Sequence, residues 1–212
     1  MAAPAIPPVE GERFVLEGVS WQLYESLLEE LAEQRIFITF DAGRLEFMSP
    51  SPKHEWWKSL IGRLIETLAL ERGAPVEAFG STTFKRRDLA KGLEPHECYY
   101  VRGAGDLRKK READLTRDPP PDLAVEIDIT HRAIDRESMY AALGVSEVWR
   151  FDGRVLTFLL LQADGSYVSA DASAAFPGLR AADVQGFLSE AEEKGQAVVA
   201  LAFRDWIRSG GA

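Results

Sequence analysis

The residues of this chain that could do chemistry lie in one apolar stretch, Asp122-Leu-Ala-Val-Glu-Ile-Asp-Ile-Thr130. If the stretch is a β-strand, Asp122, Glu126 and Asp128 share one face, because successive side chains alternate, and the other face is aliphatic. An edge strand with one wet face would give this pattern. The apolar helix and strand that follow favour an interior position instead. A buried carboxylate is expected to be paired or to bind a metal.

Carboxylates that converge at the end of a central strand suit a hard divalent cation such as Mg²⁺ or Mn²⁺. Further ligands must come from a second segment, and the candidates are Glu55, His96 and Glu97. The three histidines have no zinc-triad spacing, and His54 and His131 are expected at the surface. The sequence has no G-x-S-x-G elbow, P-loop or dinucleotide-binding glycine pattern.

The composition sets limits on the partners. The formal net charge is −9 with a pI near 5.0, which argues against tight non-specific DNA binding through a basic face. Two basic runs are candidate phosphate contacts, although charge runs are more often solvated surface. They are Lys85, Arg86 and Arg87, and Arg108, Lys109, Lys110 and Arg111.

The length of 212 residues, 46% of them hydrophobic, suits one medium-sized domain with an apolar core. Residues 1–12 are predicted to be a flexible lead-in, and residues 13–212 a single domain. No apolar run approaches the roughly 20 residues of a membrane helix, and the N-terminus does not resemble a secretion signal. The single cysteine excludes an internal disulfide. We therefore expect no membrane association and a cytoplasmic location.

The predicted elements follow the order α, ββ, α, ββ, β, α, ββ, αα, which indicates a mixed sheet flanked by helices. Ser20 is a predicted N-cap, followed by leucines at helical spacing. A long helix runs from the cap Ser51 to Gly73, which places Glu55 in its first turn. Two hairpins, a helix ending at Gly144 and two C-terminal helices separated near Gly195 complete the prediction; the hairpins turn at Asp41-Ala42-Gly43 and at Asp152-Gly153.

Four segments, taken together and in this order, resemble the Uma-type putative restriction endonuclease family of the PD-(D/E)xK nuclease superfamily. They are Arg-Leu-Glu-Phe-Met-Ser-Pro-Ser-Pro-Lys-His-Glu-Trp-Trp, Gly-Ser-Thr-Thr-Phe-Lys-Arg-Arg-Asp-Leu-Ala-Lys-Gly-Leu-Glu-Pro-His-Glu-Cys-Tyr-Tyr-Val, Pro-Pro-Pro-Asp-Leu-Ala-Val-Glu-Ile-Asp-Ile-Thr and Tyr-Ala-Ala-Leu-Gly-Val-Ser-Glu-Val-Trp-Arg-Phe-Asp-Gly. The resemblance implies an α/β fold with a restriction-endonuclease-like core, in which helices flank a central mixed β-sheet. It also implies a metal-dependent endonuclease that hydrolyses DNA phosphodiester bonds with Mg²⁺ or Mn²⁺.

Carried over residue by residue, the resemblance assigns Glu55 to the helix glutamate and Glu126 to the acid of the third core strand. The motif aspartate falls at His96, and the motif lysine position holds Asp128; both are departures. Imidazole is a poor Mg²⁺ ligand, although it binds Mn²⁺ and other transition metals. Arg136 on the following helix is the position matched to the family's basic residue, and it cannot act as a base.

Three interpretations stay open. In the first, the chain is a metal-dependent endonuclease with Glu55, His96, Glu126 and Asp128 around the metal and Arg136 as an electrostatic helper. In the second, it is a catalytically inactive nuclease-fold module for binding or assembly. In the third, it is a structural homodimer whose acids have internal partners. A homodimer is also what the resemblance implies for an enzyme that cuts two strands, and residues 154–162 and 198–207 are the candidate contact segments.

Overall fold

The computed structural model describes residues 12–102, 107, 109, 113–129 and 133–211. Most of the predicted lead-in, residues 1–11, lies outside the described residues. The same holds for three of the predicted phosphate contacts and one histidine, namely Arg108, Lys110, Arg111 and His131. In the part that is described, no helix is both long and apolar enough to cross a bilayer.

The described segments form eleven strands and six α-helices. The strands are β1 (Arg13–Leu16), β2 (Phe37–Asp41), β3 (Arg44–Met48), β4 (Glu77–Ala78), β5 (Phe84–Arg86), β6 (Lys91–Leu93), β7 (Glu97–Tyr100), β8 (Leu123–Ile127), β9 (Glu147–Phe151), β10 (Leu156–Leu161) and β11 (Tyr167–Ala170). The helices are α1 (Trp21–Glu30), α2 (Pro52–Arg72), α3 (Arg136–Leu143), α4 (Ala181–Ser189), α5 (Ala191–Lys194) and α6 (Gln196–Arg208).

The strands form two sheets. The larger is mixed, with the order β11-β10-β9-β8-β7-β4; β8 and β9 are parallel and its other pairs are antiparallel. The parallel pair is joined by the crossover helix α3. The second sheet is antiparallel, with the order β1-β3-β2-β6-β5. All five residues of β8 are buried, so the interior position predicted for Glu126 is confirmed.

Helices cover both faces of the mixed sheet, which confirms the predicted α/β fold with a restriction-endonuclease-like core. The odd-numbered side chains of β8 pack against the apolar stripe of α2, which includes Leu60 and Leu64. Ala124, on the other face of β8, packs against Met139 and Tyr140 of α3. The separate antiparallel sheet, with α1 against it, was not predicted as a sheet of its own.

Local capping signals fix where the two helices of the site begin. The Ser51 hydroxyl accepts the N–H of His54 at 3.2 Å, and Gly73 ends α2 in the left-handed region with a φ of 60°. The Asp135 carboxylate accepts the N–H groups of Glu137 and Ser138, so α3 begins at Arg136. These caps place Glu55 and Arg136 in the first turns of their helices.

Tyr24 is the fully buried residue of α1, whereas Leu23 is 48% exposed. Two details of the predicted elements were wrong. The Asp-Gly hairpin has a four-residue loop, since Phe151 pairs with Leu156 and the Asp152 carboxylate accepts two loop N–H groups. The C-terminal region has three helices rather than two, because a further break precedes the predicted one at Gly195. The hairpin at Asp41-Ala42-Gly43 is confirmed.

Substitution of Gly92 tests the contact between α1 and the antiparallel sheet. A Cβ atom at Gly92 would lie 2.2 Å from the hydroxyl oxygen and 2.7 Å from Cζ of the buried Tyr24 ring. Gly92→Ala is therefore expected to lower the free energy of unfolding by about 1–3 kcal/mol, because the ring must move within a packed core. Urea denaturation of the purified variant measures this loss.

The matched control is Gly186→Ala on the exposed side of α4. A Cβ atom there meets no heavy atom within 4 Å, and alanine is the better helix former by about 0.5–1 kcal/mol. We expect Gly186→Ala to be neutral or stabilising. Equal destabilisation by both substitutions would contradict the assigned contact between Gly92 and Tyr24.

Candidate functional site

Glu126 is the centre of the candidate site, and its carboxylate is buried. Its side chain leaves β8 toward α3 and is 1% exposed. One oxygen, Oε1, accepts hydrogen bonds from Nε and Nη2 of Arg136 at 3.1 and 2.8 Å. The hydroxyl of Tyr140 donates a third hydrogen bond to the same oxygen. Glu126 is thus a charged acceptor with three internal donors.

The guanidinium of Arg136 connects Glu126 to other parts of the chain. Its Nη1 donates to the hydroxyl of Thr39 in β2 at 2.7 Å, and its Nη2 donates to the backbone carbonyl of Glu94. Burial is the largest single cause and lowers the pKa of Arg136, but the charges and hydrogen bonds of Glu126 and Tyr140 together outweigh it, and the net shift is upward. Burial and the Glu126 charge both raise the pKa of Tyr140. The guanidinium of Arg136 therefore stays charged, and Tyr140 stays a donor, across the ordinary pH range.

His96 lies beside this group and has a structural hydrogen bond. Its backbone N–H donates to the Val125 carbonyl, and its ring Nδ1 accepts the N–H of Ile127 at 2.7 Å. The same Nδ1 is 3.6 Å from Oε2 of Glu126, a distance that would suggest an ion pair if His96 were protonated there. A protonated Nδ1 has no lone pair for Ile127, so the hydrogen bond identifies the Nε2–H tautomer and no ion pair.

Glu55 forms a second, wetter group at the start of α2. Its Oε1 is 3.1 Å from Nδ1 of His54, and its Oε2 is 3.9 Å from Nζ of Lys58. Lys58 also lies 3.6 Å from the Glu97 carboxylate. The pKa of Glu55 is lowered, chiefly by the hydrogen bond from His54 and further by the Lys58 charge, although partial burial opposes the shift. Glu97 faces α2, where its Cγ atom would lie 4.0 Å from a Cβ atom at Gly62.

His54 joins the two groups. Its Nδ1–H donates to Glu55, so Nε2 carries the lone pair, and this nitrogen is buried without a hydrogen-bond partner among the described residues. The ring centres of His54 and His96 are 4.2 Å apart in an edge-to-face arrangement. His54 was predicted at the surface, and that prediction was wrong because the side chain is 3% exposed.

A cleft of about 440 Å³ opens in front of the wet group. Its walls combine the cations Arg35 and Lys58 with Glu55, Glu94 and the hydroxyl of Thr83. The Thr83 hydroxyl donates to the Glu94 carboxylate at 2.8 Å. Burial raises the pKa of Glu94, and this hydrogen bond only partly offsets it. Glu55 is accessible from this cleft, whereas Glu126 lies deeper.

The structure brings only part of the predicted site together. His96, Glu126 and Arg136 are in one buried group, and Glu55 reaches them through His54. Asp128 lies one residue beyond β8, and its backbone N–H donates to the Phe151 carbonyl at 2.7 Å, which continues the strand pairing.

Two participants were missed by the sequence reasoning. Tyr140 lies four residues after Arg136, so both face the same side of α3, and that spacing could have identified it. Thr39 is 97 residues from Arg136 in sequence. Its only signal is a polar residue within an apolar strand, which is too weak to identify a partner.

The predicted phosphate contacts are partly engaged in ion pairs. Lys85 lies 3.3 Å from Glu25, and Arg86 makes a bidentate pair with Asp88 at 2.8 and 2.6 Å. Arg87 and Lys109 are exposed. The neighbouring aromatic residues Tyr99 and Tyr100 are buried, as is Trp57, and Trp56 is partly buried, so these rings pack mostly in the interior.

The donor set around Glu126 does not fit a divalent cation in this arrangement. Three hydrogen-bond donors already occupy Oε1 of Glu126, and His96 carries its proton on Nε2 because Nδ1 accepts Ile127. Within the described residues, no group of three or more His, Cys, Asp or Glu side chains is arranged to hold a metal ion. The Mg²⁺ or Mn²⁺ predicted for Glu55, His96, Glu126 and Asp128 has no ready ligand cage here.

Comparison with known proteins identifies one family. The family model of Uma2, described as putative restriction endonuclease, matches residues 21–190 of the chain. The match begins at α1 and ends just after α4, so it includes both sheets apart from β1 and both groups of the site. No curated protein matches the chain.

Substitution of Tyr140 tests the charged hydrogen bond to Glu126. Tyr140→Phe is expected to lower the free energy of unfolding by about 1.5–3 kcal/mol, because it removes a donor from a buried charged acceptor. The matched control is Tyr100→Phe, whose hydroxyl donates to the neutral Pro119 carbonyl at 3.0 Å. A loss of about 0.5–1.5 kcal/mol is expected there. Equal losses in urea denaturation would argue against a charged Glu126.

The lowered pKa of Glu55 predicts how its contribution to stability depends on pH. The carboxylate is favoured in the folded state, so its contribution is present above the unfolded pKa and is lost as pH falls through the folded pKa. Glu55→Gln should therefore destabilise the protein at pH 7 by at most about 1 kcal/mol, because the side chain is partly exposed. The difference should disappear in strongly acidic solution.

Urea denaturation of both proteins between neutral and acidic pH measures this difference. Glu193→Gln on the exposed face of α5 is the control, and we expect no comparable difference from it. A difference between Glu55→Gln and the parent chain that persists unchanged at the acidic limit would contradict the role of the carboxylate charge.

Proposed function

Because the chain belongs to the Uma2 family of the PD-(D/E)xK nuclease superfamily, as its matched 170 of 212 residues show, we propose that it binds DNA with a nuclease fold and hydrolyses it poorly or not at all. The observation that carries the second half of this proposal is the internal pairing of Glu126. The family motif requires this carboxylate for the metal, and here Arg136 and Tyr140 occupy it.

A divalent cation and the guanidinium of Arg136 would compete for the Glu126 carboxylate. A divalent cation at Glu126 would have to displace a fully buried guanidinium or share its acceptor, and either leaves a like-charge contact in a medium of low dielectric. The departures from the family pattern also disfavour a divalent cation at Glu126. His96 offers an N–H where an aspartate would offer a carboxylate, and Arg136 makes two hydrogen bonds to Glu126 where a lysine would make one point contact.

The open cleft and its neighbour support DNA binding. A second cavity of about 730 Å³ shares Leu28, Ala32 and Thr83 with the cleft at Glu55 and includes Lys85 and Arg117. The exposed ion pair of Lys85 contributes little stability, so a phosphate can replace Glu25 as its partner at small cost. Carboxylates also line both cavities, and the net charge is −9. The proposed binding is therefore weak and sensitive to salt.

The proposal also covers the organisation of the chain. Residues 13–212 are proposed to act as a single endonuclease-like domain in a homodimer. Of the two candidate contact segments, the C-terminal one is the better, because α6 exposes Val198 and Leu201, whereas β10 is paired on both sides by β9 and β11. Size-exclusion chromatography with light scattering measures this state.

Two measurements on one preparation test the function. Fluorescence anisotropy with a short duplex should show binding that weakens by about tenfold or more between about 50 and 200 mM salt. Lys85→Ala should weaken it further, whereas the control Lys194→Ala on α5 should not. When plasmid DNA is incubated with Mg²⁺ or Mn²⁺, the parent chain should cleave no more of it than the Glu126→Ala variant does.

Different results would contradict the proposed DNA binding and the proposed loss of hydrolysis. Multiple-turnover cleavage that disappears in Glu126→Ala would show an intact enzyme and overturn the proposed loss of hydrolysis. Absence of salt-dependent duplex binding would overturn the DNA-binding half, whatever the plasmid assay shows.

A further inference from the structure

We propose that the edge of β1 that faces away from β3 is a contact surface between two copies of this chain. In this contact the two β1 strands pair antiparallel about a two-fold axis at Val15. The inference rests on the homodimer proposed above and assigns its contact to β1 instead of α6. Because β1 lies outside the residues that the Uma2 family model matches, the contact is separate from the family framework.

The register between β1 and β3 shows which backbone groups of β1 face away from the sheet. Ser49 donates its N–H to the Glu12 carbonyl, so these two residues are a hydrogen-bonded pair. Such pairs alternate along an antiparallel ladder, so Phe14 and Leu16 also bond to β3. The N–H and C=O of Val15 therefore point to the open side of β1, where no other described strand pairs with it. Two copies that meet there can exchange both hydrogen bonds between their Val15 residues.

The side chains of β1 make this edge of the sheet apolar. Phe14 and Leu16 lie on the face that α1 covers elsewhere, and they are 61% and 38% exposed. In a pairing centred on Val15, Phe14 of one copy lies opposite Leu16 of the other in a non-hydrogen-bonded pair, where side chains are closest. The two-fold axis repeats this pair, so four exposed apolar side chains are removed from water together.

The charges of β1 favour a second copy of this chain as the partner. The same register places Glu17 of one copy, whose side chain is 78% exposed, opposite Arg13 of the other, which keeps its ion pair with Glu46. Opposite charges at cross-strand positions stabilise a pairing. The other edge of this sheet differs, because β5 carries Lys85 and Arg86, and charged side chains on an edge strand oppose pairing with another chain.

Substitutions in β1 test the contact through the oligomeric state. Val15→Pro removes the outward N–H and none of the hydrogen bonds to β3, and proline is tolerated at such a position of an edge strand. Phe14→Glu places a carboxylate in the apolar contact. Each should raise the Kd of the dimer by about tenfold or more, measured by light scattering over a dilution series. The controls Val168→Glu on the edge strand β11 and Leu201→Glu on α6, at similarly exposed side chains, should leave the Kd unchanged.

A cysteine in place of Val15 tests the register. The Cα atoms of a hydrogen-bonded antiparallel pair are about 5.5 Å apart, which lies within the range of about 4.4–6.8 Å that a disulfide spans. Oxidation of Val15→Cys with diamide should give a dimer band on a non-reducing gel. The parent chain and Val168→Cys should give none, since Cys98 is buried. Addition of Phe14→Glu to Val15→Cys should abolish the band.

The inference and the proposed homodimer are rejected by different results. A dimeric parent chain would overturn the inference alone if Val15→Cys does not cross-link, or if Leu201→Glu dissociates the dimer at least as readily as Phe14→Glu. A parent chain that is monomeric throughout the dilution series would reject the homodimer and this contact together. Circular dichroism checks that each variant is folded, and Phe14→Glu and the cross-link decide the question if Val15→Pro is not. None of these assays contains DNA, so duplex binding is tested separately.

Discussion

The hydrogen-bonded ion pair between Glu126 and Arg136 is the interaction on which the rest of this structure depends. Glu126 lies in the middle of a strand buried on both faces, where an unpaired carboxylate would strongly destabilise the fold. Arg136 supplies the countercharge and at the same time links the antiparallel sheet, through Thr39, to the mixed sheet. The relative position of the two sheets therefore depends on the same guanidinium that neutralises the motif acid. A change at Arg136 acts on charge and on sheet packing together.

Membership of the Uma2 family and the capacity for catalysis depend on different parts of this structure. The fold preserves the family framework: the long helix with its glutamate, the central strand with its acid, and the crossover helix with its cation. Catalysis by a bound metal needs that acid to be available to an ion, and here it has three protein donors. Apolar packing and helix caps maintain the fold, and neither depends on whether the Glu126 carboxylate is paired with a protein group. The residues at positions 96 and 136 can thus change the chemistry while the fold remains.

Sequence reasoning identified those features whose signals are local. The cap at Ser51 lies within three residues of the amide that it binds, and the alternation around Glu126 is visible within one strand. The partners of Arg136 were harder, because Thr39 is far away in sequence and has no distinguishing pattern. His54 was misplaced at the surface for a related reason. Its neighbours in sequence are charged, and only the fold shows that Phe37 and His96 cover its ring.

The candidate site consequently has a dry half, which is buried around Glu126, and a wet half, which is open to solvent around Glu55. The dry half around Glu126 is saturated with hydrogen bonds and has little room to respond to a ligand. The wet half around Glu55 lines an open cleft, with Lys58 near two carboxylates and a buried nitrogen of His54 that has no hydrogen-bond partner in the described part of the chain. A ligand in the cleft meets Glu55 first, and the rings of His54 and His96, with Phe37 against both of them, connect the two halves. Coupling from the cleft to Glu126 can therefore pass through these rings, or through Glu94, which lines the cleft and whose backbone carbonyl accepts a hydrogen bond from Arg136.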